Sequence, residues 1–111
     1  MSYNQTFKST SFVLSPATPT LLIAANPNRK TLLLQVNGIA PATFKFNSAP
    51  VSATDGMTLG AASVSGEQGG SILLTADSVT TESFCPINSV YAYSALGTTV
   101  NVKEGTVYAF L

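Results

Sequence analysis

The sequence predicts an all-β protein, a single-domain antiparallel β-sandwich or barrel, jelly-roll-like, of about seven to nine short strands. Three observations carry this. Apolar residues recur with a period close to two along nearly the whole chain, and no stretch sustains a helical stripe. Ser and Thr fill about a quarter of the positions, and Thr suits a pleated, half-buried surface. Turn formers punctuate the pattern at short intervals, as strand-rich domains require. At 111 residues the chain fits one domain, residues 1–111, with no internal repeat and no linker.

Taken in order, the first strand reads from Thr6 to Leu14 and is interrupted by Pro16 and Pro19, which fit a bend or a strand edge. Residues 1–10 carry a second reading, an N-terminal arm laid over a neighbouring subunit. A short strand covers Thr20 to Ala24, and Asn26-Pro27-Asn28 makes a turn. Lys30 to Val36 follows; its Leu32, Leu33 and Leu34 in sequence predict a central strand buried on both faces. Asn37-Gly38 opens a turn extended through Pro41, and Thr43 to Phe46 reads as the partner strand. Leu32, Leu34, Phe44 and Phe46 are the expected core. From Asn47 to Gly70 the chain is the least structured, divided by a short strand at Met57 to Leu59. Ser71 to Thr75 is a strand. A polar connection through Phe84-Cys85-Pro86 leads to Val90 to Ala95. Leu96-Gly97-Thr98 reads as a hairpin turn to Thr99–Lys103. Glu104-Gly105 reads as another turn, before a last strand from Thr106 to Leu111.

Composition narrows the function. There are five basic and five acidic residues, no histidine and one cysteine, so 9 % of residues are charged, against roughly a quarter in ordinary soluble domains. A folded monomer of this mass exposes ~5,800 Å², and ten charges cover it sparsely. Zero net charge removes long-range repulsion between copies and favours a homo-oligomer. Nucleic acid is not an expected partner, because phosphate binding needs clustered Lys and Arg and only Arg29-Lys30 are adjacent. Nor is a membrane, since the longest apolar runs fall far short of the ~20 residues of a spanning helix. The opening Met1-Ser2-Tyr3-Asn4-Gln5 shows no signal-peptide pattern.

Candidate chemistry is thin, and no enzyme activity, cofactor or metal is expected. Without histidine the usual general base, triad partner and metal ligand is missing. Cys85 has no basic neighbour in sequence to lower its pKa and reads as a buried structural thiol. Asp55, Glu67, Asp77, Glu82 and Glu104 stand apart, with no sign of the paired carboxylates glycoside chemistry needs or the converging oxygens of a calcium site. The Gly66–Gly70 stretch fits no phosphate-binding fingerprint and is a turn. The aromatic ends are more informative. Tyr3, Phe7 and Phe12 near the start and Tyr108, Phe110 and Leu111 at the end combine apolar bulk with low charge, as interface cores do. These six are the candidate interface residues.

The segment Ala25-Asn26-Pro27-Asn28-Arg29-Lys30, running into Leu32-Leu33-Leu34-Gln35-Val36-Asn37, resembles a pattern in small virion proteins of tailed bacteriophages. Gly69-Gly70-Ser71, Val90-Tyr91-Ala92, Gly97-Thr98 and Val102-Lys103-Glu104-Gly105 resemble that pattern's later elements. Cys85-Pro86-Ile87-Asn88 stands where the pattern has a Pro-Thr-Gly turn. The resemblance implies a capsid decoration (cement) protein, made in the host cytoplasm and bound to the outside of the shell. Its partners would be the major capsid protein and its own copies, as a trimer at threefold positions. It carries over no catalytic residue. The alternative in the same setting is a head-fibre or tail module that binds a host-surface carbohydrate.

Overall fold

The computed structural model describes residues 3–76 and 85–109. Its strands are β1 (Tyr3–Leu14), β2 (Thr20–Ile23), β3 (Arg29–Val36), β4 (Ala42–Phe46), β5 (Met57–Leu59), β6 (Ser71–Thr75), β7 (Val90–Tyr93) and β8 (Thr98–Ala109). They form two four-stranded sheets, ordered β1-β8-β3-β6 and β2-β7-β4-β5, with every pairing antiparallel. Each sheet draws alternate strands from the two halves of the chain, the strand order of a jelly roll.

Period-two patterning explains the layers. Leu32, Leu34 and Val36 of β3, with Val100 and Val102 of β8, face Phe44, Val90 and Ala92 of the other sheet across one core, joined by Leu14, Leu22, Ala42 and Cys85. Leu32, Leu34 and Phe44 are fully buried, as expected, and Phe46 packs against the core from a half-buried position. Leu33 sits on the outer face, half-buried opposite Lys103 and the exposed Leu73. β3 is therefore central to its sheet but fully buried on its inner face alone.

Three sequence expectations are corrected. β3 and β4 do not form a hairpin; they lie in different sheets, and residues 37–41 cross between them. The same holds for β7 and β8 about Leu96-Gly97. An alternating apolar pattern is satisfied equally by strands that pair side by side and by strands that face each other across a core. Glu104-Gly105 is no turn. It lies inside β8, opposite Lys8 and Phe7 of β1 and Leu32 and Thr31 of β3. Ladders on both sides keep the chain extended, and a bulge between Arg29 and Thr31 absorbs the irregularity on the facing strand.

β1 starts at Tyr3 and pairs with β8 along its whole length, so residues 3–14 form an edge strand of this domain. The pairs Tyr3↔Ala109, Asn4↔Tyr108 and Gln5↔Val107 carry this ribbon past the end of β3. The molecule is accordingly long, 47 × 27 × 22 Å, and its surface of 6332 Å² exceeds the ~5,800 Å² expected from mass.

The long β5–β6 connection, residues 60–70, buries only Ala62 and is held by a run of backbone hydrogen bonds. Ala62 donates to Gly38, Gly66 to Asn37, Gly69 to Val36 and Gly70 to Gly60, all at 2.7–2.9 Å. The last contacts explain the Gly69-Gly70 pair: a Cβ at residue 69 would stand 2.7 Å from the Ala62 nitrogen, and one at residue 70 2.6 Å from the Gly60 nitrogen. Side chains have no room there.

Candidate interaction surfaces and the arginine clamp

The Asn-Pro-Asn-Arg motif builds a clamp. Asn26 accepts the Asn28 amide on its side-chain oxygen at 3.0 Å, closing the turn, and its amide donates to Thr106 Oγ1 at 2.9 Å and Glu104 Oε2 at 3.3 Å. The turn delivers Arg29, 1 % exposed, into the end of the sandwich. Arg29 Nε donates to Glu104 Oε2 at 2.7 Å; Nη1 donates to the carbonyls of Pro86 and Asn88, and Nη2 to that of Ala24, each at 2.8 Å. A planar fork of donors suits this divergent set as an ammonium could not. One guanidinium thus ties the β2–β3 turn, the segment before β7, and β8. Sequence reasoning missed this role. The signal was the chain's only arginine at the mouth of a strand, directly after an Asn-Pro-Asn turn.

Cys85 lies beside the clamp, buried, with its thiol directed at the Pro86 carbonyl at 3.8 Å. Burial pushes its pKa up, against the opposing pull of Arg29, so the thiolate that nucleophilic chemistry requires is disfavoured. On the outer face of the second sheet, Lys45 grips both Asp55 oxygens at 3.0 and 2.9 Å, and the Val51 amide donates to Asp55 at 2.9 Å. These hydrogen bonds hold the Asp55 carboxyl below its ordinary pKa. They pin the β4–β5 loop to the sheet. Among the described residues, no three His, Cys, Asp or Glu side chains converge as a metal site would need.

The candidate interface residues fall in two regions. At the far end of the β1–β8 ribbon Tyr3 pairs with Ala109 and Tyr108 with Asn4, so the topology sets the two terminal segments side by side without pairing the two tyrosines. Phe110 and Leu111 lie outside the described residues. Phe7 and Phe12 occupy opposite faces of β1. Phe7 is 52 % exposed on the outer face, with the Lys103 ammonium 5.1 Å from its ring centroid. Phe12 packs against the core on the inner face.

A surface without any sequence signal lies at the end of the sandwich formed by the loops at 15–19, 37–41, 60–70 and 94–97. Ala17 donates to Ser94 at 2.8 Å, the β5–β6 connection donates to Asn37 and Gly38, and Asn37 donates to Thr99 at the start of β8 at 2.8 Å, which ties the loops side by side at this end. Ile39, Val64 and Leu96 stand on it, 70 %, 56 % and 77 % exposed, with Val13 at 83 % just below. Glu67 is the single charged residue in those four loops. Each apolar residue is unremarkable alone in sequence; only the topology gathers them.

The strand order and the single core define a small jelly-roll domain. No family model matches the chain, and no curated protein matches it. Among solved structures, the fold is similar to that of a chain from the Bacillus endospore appendages, described as a novel family of disulfide-linked pili. The likeness has a TM-score of 0.55 at 17 % identity, over 99 % of this chain and 90 % of that one. At that identity it is a likeness of fold.

Proposed function

We propose that this protein is a structural component of a phage virion, a capsid decoration (cement) protein that binds the outside of the shell and stabilises it. The observation that carries the reading is the charge-poor loop rim with Ile39, Val64 and Leu96 exposed on it. Apolar side chains gathered on one charge-poor end of a domain mark a protein-binding face, and the major capsid protein is the partner assigned to it. Many modest contacts of this kind, multiplied by copy number, hold neighbouring shell subunits together. The resemblance in the Asn-Pro-Asn-Arg and Gly-Gly-Ser segments supports the phage setting. Three copies are the number expected at threefold positions of a shell.

The pilus-like neighbour is consistent with a fold suited to assembly. Disulfide linkage in series requires two thiols per subunit, one toward each neighbour. This sequence has Cys85 alone, and it is buried. The self-association proposed here therefore does not run through disulfides in series.

A carbohydrate-binding fibre or tail module is the second reading, and the outer face of the second sheet is where it would act. Tyr91 and Tyr93 lie there beside Thr43, Lys45 and Thr58. The Thr43, Lys45 and Asp55 side chains on it are already engaged internally, Asp55 with Lys45 and Val51, and Thr43 with Ala53 and Thr58. A sugar would have to displace them, which disfavours this reading.

The test is co-sedimentation of the purified protein with empty shells. The wild type should pellet with shells, and Ile39→Asp with Leu96→Asp should remain in the supernatant while keeping the β-sheet spectrum. Equal pelleting of both proteins would refute the rim as the shell contact.

A further inference from the structure

We infer that β1 is a homotypic pairing edge, through which two copies of this chain join their first sheets antiparallel about a twofold axis at Thr10. The inference goes beyond the shell-binding reading and does not depend on it.

β1 is a twelve-residue edge strand with one charge, Lys8, and it pairs with β8 on one side alone. Long edges of this kind present a row of backbone donors and acceptors to another chain, and natural proteins usually block them with charge, proline or bulges. Here the β1–β8 register runs without a shift from Tyr3 to Leu14, and no proline lies within the strand.

The occupant follows from the strand's own pattern. Side chains of Phe7, Ser9, Ser11 and Val13 share the outer face, in line with Gly105, Lys103, Asn101 and Thr99 of β8. About Thr10 this row is self-complementary. Two antiparallel copies in that register set Phe7 against the partner's Val13 and Ser9 against the partner's Ser11, each pair formed twice. Phe7 and Val13 are 52 % and 83 % exposed in the single chain, and cross-strand aromatic–β-branched pairs are among the stabilising ones. On the inner face, Lys8 meets the partner's Phe12, whose ring its aliphatic stem can cover.

Neighbouring registers are poorer. Centring on Lys8 sets two ammonium groups opposite each other. Centring on Ser9 or Ser11 places Phe7 and Val13 against polar residues. A shift of one residue turns the outer face of one copy toward the inner face of the other.

The second layer agrees. A groove of about 560 Å³ opens at this edge between β1–β8 and β2, lined by Phe12, Leu22, Ile23, Val102 and, at its polar end, Lys8 and Glu104. Twofold pairing of β1 brings the two grooves face to face and closes each against the other copy. The product is one eight-stranded sheet. The contact is isologous, so it joins copies in pairs, separately from any threefold arrangement that a shell imposes.

The experiment is a charge-swap at exposed positions, read by sedimentation with circular dichroism as the check on folding. The wild type should sediment at twice the 11.5 kDa chain mass. Ser9→Lys with Ser11→Lys, and separately Ser9→Glu with Ser11→Glu, should each sediment as monomers; mixing the two should restore the dimer. As a second reading independent of those charges, Ser9→Cys and Ser11→Cys chains should cross-link under mild oxidation when mixed and not when alone. A monomeric or trimeric wild type, dimers that survive the like-charge variants, or no cross-link in the mixture would each overturn the inference. Shell binding retained alongside any of these would leave the decoration role standing while removing the β1 contact.

Discussion

Replacing Arg29 with Met should be among the most damaging single changes in the molecule. Met keeps much of the buried volume but removes four donated hydrogen bonds, to Glu104 and to the carbonyls of Ala24, Pro86 and Asn88. The Glu104 side chain is 17 % exposed and the Arg29 side chain 0 %, so the carboxylate is left partly buried and without its cation. Removing one member of a buried pair typically costs about 3–5 kcal/mol. That is a large share of the ~5–15 kcal/mol that holds a domain folded, and at ~5 °C per kcal/mol it lowers Tm by about 15–25 °C. Urea denaturation at unchanged m-value, with a thermal melt, reads it. Arg29→Lys should fall between, because an ammonium keeps the charge but lacks the fork. Arg29→Met combined with Glu104→Leu should cost at least ~1 kcal/mol less than the sum of the single changes, the size of coupling expected for residues in contact. A cost below ~1 kcal/mol for Arg29→Met, or single costs that simply add, would refute the clamp.

Other predictions test the core, the loop staple and the thiol. Phe44→Ala should cost ~3–5 kcal/mol in the same assay, since the ring is fully buried; a change under ~0.5 kcal/mol, typical of surface sites, would place it on the wrong face. The folded-state pKa of Asp55 is depressed, so its contribution to stability is present above the unfolded carboxyl value and is lost as pH falls through the folded one. Lys45→Met should therefore lie slightly below wild type near neutrality and converge with it in acid; a gap that persists once Asp55 is protonated would contradict the pairing. Cys85 should resist thiol reagents at neutral pH until the protein unfolds, and fast labelling of the native state would show that it is open.

The fold was legible because the period-two signal is strong wherever Leu, Val and Phe line one core. Met57–Leu59 and Ser71–Thr75 were readable to the residue, bounded as they are by Gly and Asp. What could not be read was the partner of each strand. Asn37-Gly38 looks locally like a hairpin turn, yet whether β4 pairs with β3 or faces it depends on the rest of the chain closing both sheets. Glu104-Gly105 misled for a related reason: its turn propensity is local, while the ladders to β1 and β3 that hold it straight come from strands far away in sequence. The site was less legible than the fold. Arg29 is the chain's only arginine and follows an Asn-Pro-Asn turn, but its acceptors are mostly backbone carbonyls, which every residue has and no sequence marks. The loop rim is assembled from single apolar residues in four separate loops, and single apolar residues in loops carry no signal of their own.

The central claim is tested most directly by locating the protein on the particle, through a reconstruction of virions produced from the genome that encodes it. The account predicts jelly-roll density on the outer surface of the shell, with the end bearing Ile39, Val64 and Leu96 turned toward the capsid lattice. Density in a tail or fibre, or a particle that lacks this protein, would contradict it.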